Sequence, residues 1–353
     1  MQLETQQVTG PGANISIFPP LTFLLTGVPG LEHSPHWLAA PVCALYLLSA
    51  LGNGTVLFII LTEPSLHTPM YLLLLMLAVA DLGLSTSVLP TMLGVFLSGS
   101  GEVSSNACFS QLFFIHAFSI IESSVLLAMA FDRFVAICYP LRYNSILTNA
   151  RVLQISLVIA IRAIALHAPL PFLLQRLPYR QTNILSHSYC LHPDVMKLAH
   201  AGSRESTYTL FIVLSTMGLD PVLIVLSYAW ILRSVLGLVL REEHVQALST
   251  CLSHISVVLI FYIPMLALSL INHLGLPVPA IAHSLLSFLH FLVPPVLNPM
   301  LYCVRMKEIR GRVARRFLQA QGTWGRHCRR NQPSTKFTTQ ETVGSGAGVH
   351  GLL

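Results

Sequence analysis

Met129-Ala-Phe-Asp-Arg-Phe-Val-Ala-Ile-Cys-Tyr-Pro-Leu-Arg-Tyr143 decides the reading of this chain. It closes a long apolar run that begins near Cys108, and it places an Asp132–Arg133 pair where that run should leave a membrane. A charged side chain costs about 2.5–3.5 kcal/mol at the centre of a membrane helix, so such a pair belongs at an end or has a role inside. From Cys108 to Asp132 is 24 residues, roughly 36 Å of helix at 1.5 Å per residue, which crosses the whole hydrocarbon core. Arg133 is therefore expected at the inner mouth of this span.

The rest of the chain fits a membrane setting. Of 353 residues, 54% are hydrophobic and 10% charged, and the mean hydropathy is +0.68. Soluble domains carry about 25% charged residues. From His244 to Val304 there is no Asp, Glu, Lys or Arg, a run of 61 residues. A span needs about 20 residues, so this run reads as two helices joined by the turn Asn272-His-Leu-Gly-Leu-Pro-Val-Pro279. The same logic gives spans at about 38–61, 70–96, 108–138, 152–174, 206–233, 245–271 and 279–303. The expected organisation is an outer N-terminal segment 1–37, a membrane domain 38–304 and a cytoplasmic segment 305–353.

Charge orients these spans. Residues 1–37 hold no Lys or Arg, whereas residues 305–336 hold ten of the chain's twenty. The positive-inside rule then puts the N-terminus outside and the tail in the cytoplasm of a multi-pass plasma-membrane protein. The net charge of +6 is mostly this tail and reads as attraction to anionic lipid rather than to nucleic acid. After the last span, Ile309, Val313, Phe317 and Leu318 recur at helical spacing among basic residues, so a short amphipathic helix on the inner leaflet is expected. No basic-then-apolar leader is evident, so the first span is expected to serve as the insertion signal. Asn14-Ile-Ser16 is a glycosylation sequon on the expected outer side.

Seven cysteines are few for a disulfide scaffold. Cys108 and Cys190 fall on the expected outer face, and a bond between them would pin the loop 175–205 over the bundle. Cys43, Cys138, Cys251 and Cys303 read as buried or membrane-edge thiols. Cys328, in the basic tail, is a candidate for lipidation. Asp81 and Glu122 are intramembrane acids. Two nearby carboxylates in low dielectric cannot both stay ionised unaided, so either one is protonated or a sodium ion with water lies between them. Apart from that Na⁺, no metal or cofactor is expected. Pro299 removes a backbone hydrogen bond and lets the last span bend. Asp220 and Arg162 are also intramembrane, with helix-to-helix hydrogen bonding as their default role.

Several motifs occur in one order: Gly52-Asn53, Leu66-His-Thr-Pro-Met-Tyr71, Asp81, the Met129–Tyr143 stretch, Ser188-Tyr-Cys-Leu-His192, Ser249-Thr-Cys-Leu-Ser-His254 and Pro295-Val-Leu-Asn-Pro-Met-Leu-Tyr302. From about Pro29 to Arg316 the chain resembles the odorant (olfactory) receptors of the rhodopsin-like, class A G-protein-coupled receptors. Pro29-Gly-Leu-Glu32 and Ser186-His-Ser-Tyr-Cys-Leu-His192 look like the class I, fish-like subgroup. The resemblance implies an all-α membrane protein, a seven-transmembrane helix bundle with a short amphipathic helix after the last span. It implies that Asn53 and Asn298 lie at similar depth to Asp81 and Glu122. It implies a Cys108–Cys190 disulfide, and a lock in which Asp132 holds Arg133 until the helices part, with Asn298, Pro299 and Tyr302 in the switch. It also implies a small volatile ligand among spans three, five and six, a stimulatory, olfactory-type G protein as partner, and a rise in cAMP through adenylyl cyclase.

For the ligand, His116 lies roughly 12 Å below Cys108, with Ser119, Ile120 and Ser123 following on one helical face. In class I receptors this face, the loop at His192 and the outer end of span six, here Ser269 and His273, look onto the odorant. The family commonly has Arg where His273 stands, so the chain is not committed to carboxylate odorants. Arg180 and His200 replace a frequent second cysteine pair. Gln246 stands where Lys is common, and Phe134 where Tyr is common.

Three other classes fit the sequence less well. In a receptor for a peptide or metabolite, long acidic or aromatic N-terminal elements would favour a peptide, and a transporter or channel would be favoured by inverted repeats and charged pores. An enzyme would need a nucleophile–base or metal-ligand set, and the 15 histidines show no His-Glu-x-x-His spacing.

Overall fold

A computed structural model describes residues 15–16, 19–28, 36–99, 101–180, 182–199, 203–236, 242–274, 278–306 and 308–316. Among these, seven helices are long and apolar enough to cross a membrane. They are α1 (His36–Thr62), α2 (Pro69–Ser98), α3 (Ser105–Cys138), α4 (Asn149–Arg176), α5 (Thr207–Val235), α6 (Glu242–Leu274) and α7 (Ala280–Arg305). The expected spans match these seven, with ends displaced by a few residues.

Local chemistry sets the ends. Pro69 starts α2 at a position whose N–H would be unpaired anyway, and Gly99 ends it in the left-handed region at φ 65°. The Ser104 and Thr148 hydroxyls accept from the Ala107 and Arg151 amides, each at 3.3 Å, and so cap α3 and α4. α4 is interrupted at Ala168, just before Pro169. α5 contains a π-helical turn, Leu214–Gly218, between α-helical Ser203–Val213 and Leu219–Leu236.

α3 is central and packs on α2, α4, α5 and α6. α1 lies on α2 and α7. Leu51, Phe58 and Leu61 of α1, Leu153, Leu157 and Ile161 of α4, and Val222, Val225 and Leu226 of α5 are exposed. In a bilayer these rows face lipid, which removes the solvent penalty they would otherwise carry.

The Cys108 end is closed by elements absent from a purely helical expectation. β2 (Thr22–Leu25) runs antiparallel to β3 (Glu102–Ser104) and parallel to β5 (Ile184–Leu185). β1 (Ile15–Ser16) pairs with β4 (Tyr179–Arg180). Gly101 allows the approach of β2, since a Cβ there would sit 1.9 Å from the Leu25 carbonyl oxygen. Phe23, fully buried, meets the rings of Phe109 and Tyr179 at 6.0 and 6.1 Å. The Cys108–Cys190 disulfide, with Cα atoms 5.5 Å apart, ties the loop to α3.

Of the other thiols, Cys251 is buried and Cys43 is exposed on α1. Asn14, His200, Cys328 and the side chain of His273 lie outside what the structure describes. The chain forms two compact units, Met1–Arg310 and Gly311–Leu353. In the first, residues 308–310 are helical with Ile309 buried; in the second, residues 311–316 are helical.

Candidate functional site

The loop over the Cys108 end is held by polar contacts. Gln111 donates to the Ser87 carbonyl at 2.8 Å and to Thr91 Oγ1 at 2.9 Å, and its Oε1 accepts from the Cys190 amide at 3.0 Å. A short helix, His192–Leu198, follows. Its Asp194 contacts His187 Nδ1 and accepts from Lys197 at 3.1 Å, while His187 Nε2 meets His283 Nδ1 of α7 at 3.1 Å. Burial opposes ionisation of Asp194, but His187 and Lys197 outweigh it and hold the carboxyl below its ordinary range.

This clamp sets His192 over a cavity of about 110 Å³. The lining is His116, Ser119 and Ile120 of α3, His167 and Leu170 of α4, His192, and Thr209, Ile212, Val213 and Thr216 of α5. His116 stacks on His167 with centroids 5.3 Å apart and meets His192 edge-on at 5.6 Å. Burial lowers the His192 imidazole to about 4, so it is neutral at pH 7. Ser119 Oγ has no partner among the described residues. The Ala163 carbonyl lies near the His167 ring, but His167 Nδ1 has no hydrogen-bond partner among the described residues. Each such buried polar atom costs about 1–3 kcal/mol unless a ligand or water supplies a bond. No Asp, Glu, Lys or Arg lines the cavity.

Of the residues expected here, His116, Ser119, Ile120 and His192 do come together. Ser123 does not reach the cavity, because one turn of helix carries it below. Ser269 is exposed on α6 and lines no part of it. The cavity lies among α3, α4, α5 and the loop helix, not against a described residue of α6. His167, Leu170 and the α5 residues were missed. Thr209, Ile212, Val213 and Thr216 follow an i, i+3, i+4, i+7 pattern, so that face was legible.

Ser123 instead joins three helices directly, α3, α5 and α6. Its hydroxyl donates to Asp220 Oδ2 at 2.8 Å and lies 2.7 Å from the Tyr262 hydroxyl. Arg162 donates to the same Asp220 oxygen at 3.0 Å, to Ser124 Oγ at 2.9 Å and to the Ser215 carbonyl at 2.7 Å. The wider ring of the π turn leaves that carbonyl available to a side chain. Asp220 and Arg162, read from sequence only as hydrogen-bonding partners, thus link α3, α4, α5 and α6 directly beneath the cavity.

At the level of Glu122, the neighbour of Ser123 on α3, Asn298 Nδ2 lies 3.1 Å from both Asp81 oxygens and 3.3 Å from Glu122 Oε1. Both acids are fully buried. Glu122 Oε2 and Asn298 Oδ1 have no partner among the described residues. Pro299 cannot donate to the Pro295 carbonyl, and Asn53 Nδ2 takes over that acceptor at 2.8 Å. Gly52 permits the approach, since a Cβ there would lie 2.9 Å from Pro299 Cγ. The Gly52-Asn53 pair is therefore the structural complement of the α7 proline.

At the other end Arg133 is paired with Asp132, through Nη2 and through Nε at 2.9 Å, and the Tyr143 hydroxyl donates to Asp132 Oδ1 at 2.7 Å. Burial, with Asp132 beside it, raises the Tyr143 phenol above its ordinary value and keeps this donor protonated. Tyr302 is buried, its hydroxyl 3.9 Å from Met129 Sδ. Tyr228 and His254 form a 2.6 Å hydrogen bond between α5 and α6.

A seven-helix membrane bundle with a disulfide-pinned loop over a small cavity at one end, and a paired acidic–basic dipeptide at the other, has the architecture of a receptor. The olfactory receptor family model matches residues 42–320, and the chain belongs to that family. It is 52% identical over 306 residues to human olfactory receptor 51S1, covering 87% of this chain and 94% of that one. It is 55% identical over 297 residues to human olfactory receptor 51G2 (84% and 95% covered). Human olfactory receptor 51A4 is 52% identical over 299 residues (84% and 95% covered). These relatives agree with the class I character of the loop motif.

Proposed function

We propose that a small neutral odorant binds in the cavity at His116 and that its binding is passed to the Asp132 end. One observation carries this reading: the cavity rests directly on the Ser123–Tyr262–Asp220–Arg162 network, which joins α6 to three other helices. A ligand that moves Thr216 or Ser119 moves the π turn or the α3 face that holds Tyr262. The lining supplies imidazoles and hydroxyls as hydrogen-bond partners, and Ile120, Leu170, Ile212 and Val213 take a short carbon chain. Short alcohols, aldehydes and ketones fit this chemistry. Acids would need the contribution of His273.

In this reading the Cys108 end and the N-terminus face outward, and the basic tail faces the cytoplasm. Release of Arg133 from Asp132 exposes the partner surface for a stimulatory, olfactory-type G protein, and cAMP rises. The protein acts as a receptor rather than an enzyme. A monovalent cation, Na⁺, bridging Asp81 and Glu122 would satisfy Glu122 Oε2 and Asn298 Oδ1 and hold α2, α3 and α7 in the resting arrangement. The test is a panel of short alcohols, aldehydes, ketones and acids, read by cAMP in cells with verified surface receptor. A neutral compound should activate it, with the response lost in a His116→Phe, Thr216→Val double variant. Activation that survives that double variant unchanged would place the ligand elsewhere.

A further inference from the structure

A second recess lies outside the bundle, where α3, α4 and α5 meet on the lipid side. It has a volume of about 510 Å³, within the roughly 300–1,000 Å³ of small-molecule sites. Its walls are apolar: Leu127, Phe131 and Val158 are typical, with Phe134, Ile155 and Trp230 toward one end. Arg162 closes the other end.

Arg162 makes this groove more than a gap between helices. Its side chain is 27% exposed although its partner Asp220 is buried. Three of its N–H groups are used, by Ser124, Asp220 and Ser215, and no described residue accepts from the remaining two, one of them on Nε. Arg162 is 13 residues from the start of α4, roughly 20 Å at 1.5 Å per residue, which puts it near the middle of a hydrocarbon core about 30 Å thick. Water is scarce there, and a donor left unpaired costs several kcal/mol.

We propose that this groove binds a neutral small molecule with an apolar body and one hydrogen-bond acceptor, a ketone or ether by class, delivered from within the bilayer. Neutrality follows from Asp220, which already balances the guanidinium; a carboxylate would bring an unbalanced charge to mid-membrane. Depth excludes the ordinary lipids. A phospholipid ester or a sterol hydroxyl is anchored at the interface, and an alkyl chain carries no acceptor, so only a freely dissolved molecule brings an oxygen to Arg162. The acceptor takes the two spare donors and leaves the Asp220 pair intact, while the tail runs toward Phe134, Ile155 and Trp230. This site is separate from the cavity at His116, and its failure would not touch that reading.

The experiment uses the full-length receptor in lipid nanodiscs. One probe is a long-chain methyl ketone with a diazirine at its far end, and the other is the alkane bearing the same diazirine. After irradiation, the ketone should label peptides around Ile155 and Trp230 about tenfold more than the alkane, the low end of what a hydrogen bond to a charged donor supports. Excess plain ketone should compete. Val158→Trp and Leu226→Trp fill the groove, since both residues line it, and should each cut this labelling about tenfold. Mass spectrometry of the Cys108–Cys190 bond checks folding, and Val158→Trp decides if Leu226→Trp misfolds, since Val158 is exposed on the lipid side. Equal labelling by the alkane, label confined to the His116 and Thr209–Thr216 peptides, or full labelling of the filled variants would each overturn the proposal.

Discussion

Replacing Asp220 by Leu tests the polar network beneath the cavity. Removing one partner of a buried ion pair costs about 3–5 kcal/mol, because the other charge is left uncompensated. Asp220→Leu should fall at the low end, about 3 kcal/mol, since Arg162 keeps some exposure and its Ser124 and Ser215 bonds. Arg162→Leu should fall at the high end, about 5 kcal/mol, because Asp220 is buried and keeps only the Ser123 hydroxyl. The double variant leaves no unpaired charge. Its main loss is the bond to the Ser215 carbonyl, about 1–3 kcal/mol. The double variant should therefore be more stable than Arg162→Leu and no less stable than Asp220→Leu, a large departure from additivity. The assay is thermal unfolding of purified receptor followed with a thiol-reactive dye, whose late phase reports exposure of buried Cys251. A double variant that loses the sum of the two single losses would show that the two side chains do not act as a pair.

Other perturbations probe the remaining parts. Cys108→Ser or Cys190→Ser should abolish surface delivery, read by antibody staining of intact cells, because the loop helix and β5 lose their tether. Arg133→Ala should end the cAMP response at matched surface density while odorant binding stays measurable. Lowering pH should destabilise the receptor in a defined window. Unfolded His192 takes a proton near 6.5, whereas folded His192 resists until about 4, so stability falls as pH drops through that interval. The Asp194–Lys197 ion pair persists through it and fades only as pH falls through that carboxyl's lowered value. Melting temperature against pH should show a shallower decline in His192→Gln, and an identical slope would exclude the His192 contribution.

Much of the fold was readable because the membrane enforces a simple rule: an apolar run of sufficient length must be a helix. The Asp132–Arg133 pair and the Asn53, Asp81, Glu122 and Asn298 set were readable for the same reason, since polar residues stand out in apolar runs. What the sequence hid depends on backbone detail. The π turn at Leu214–Gly218 carries no strong composition signal, yet it creates the carbonyl that Arg162 binds. The small sheet over the Cys108 end needs segments far apart in the chain, β2, β3 and β5, to meet. Helical spacing puts Ser123 on the His116 face but does not fix the depth at which the cavity ends, and Ser123 does not line it. Ser269 lies on a helix the sequence marked out, but it is exposed and lines no part of the cavity. The Gly52-Asn53 motif was visible, but its reason was not, since the orphaned Pro295 carbonyl appears only when α1 and α7 are packed.

The most direct test of the account is the dose–response of an activating neutral odorant in Ile212→Trp, at matched surface density, with Ser269→Trp measured alongside. Ile212 lines the cavity and a tryptophan there fills it, whereas Ser269 is exposed on α6. The predicted result is a loss of potency of at least about a hundredfold in Ile212→Trp, roughly 2.7 kcal/mol, with Ser269→Trp unchanged. Wild-type potency in Ile212→Trp, or the loss appearing in Ser269→Trp instead, would contradict the placement of the odorant beside His116.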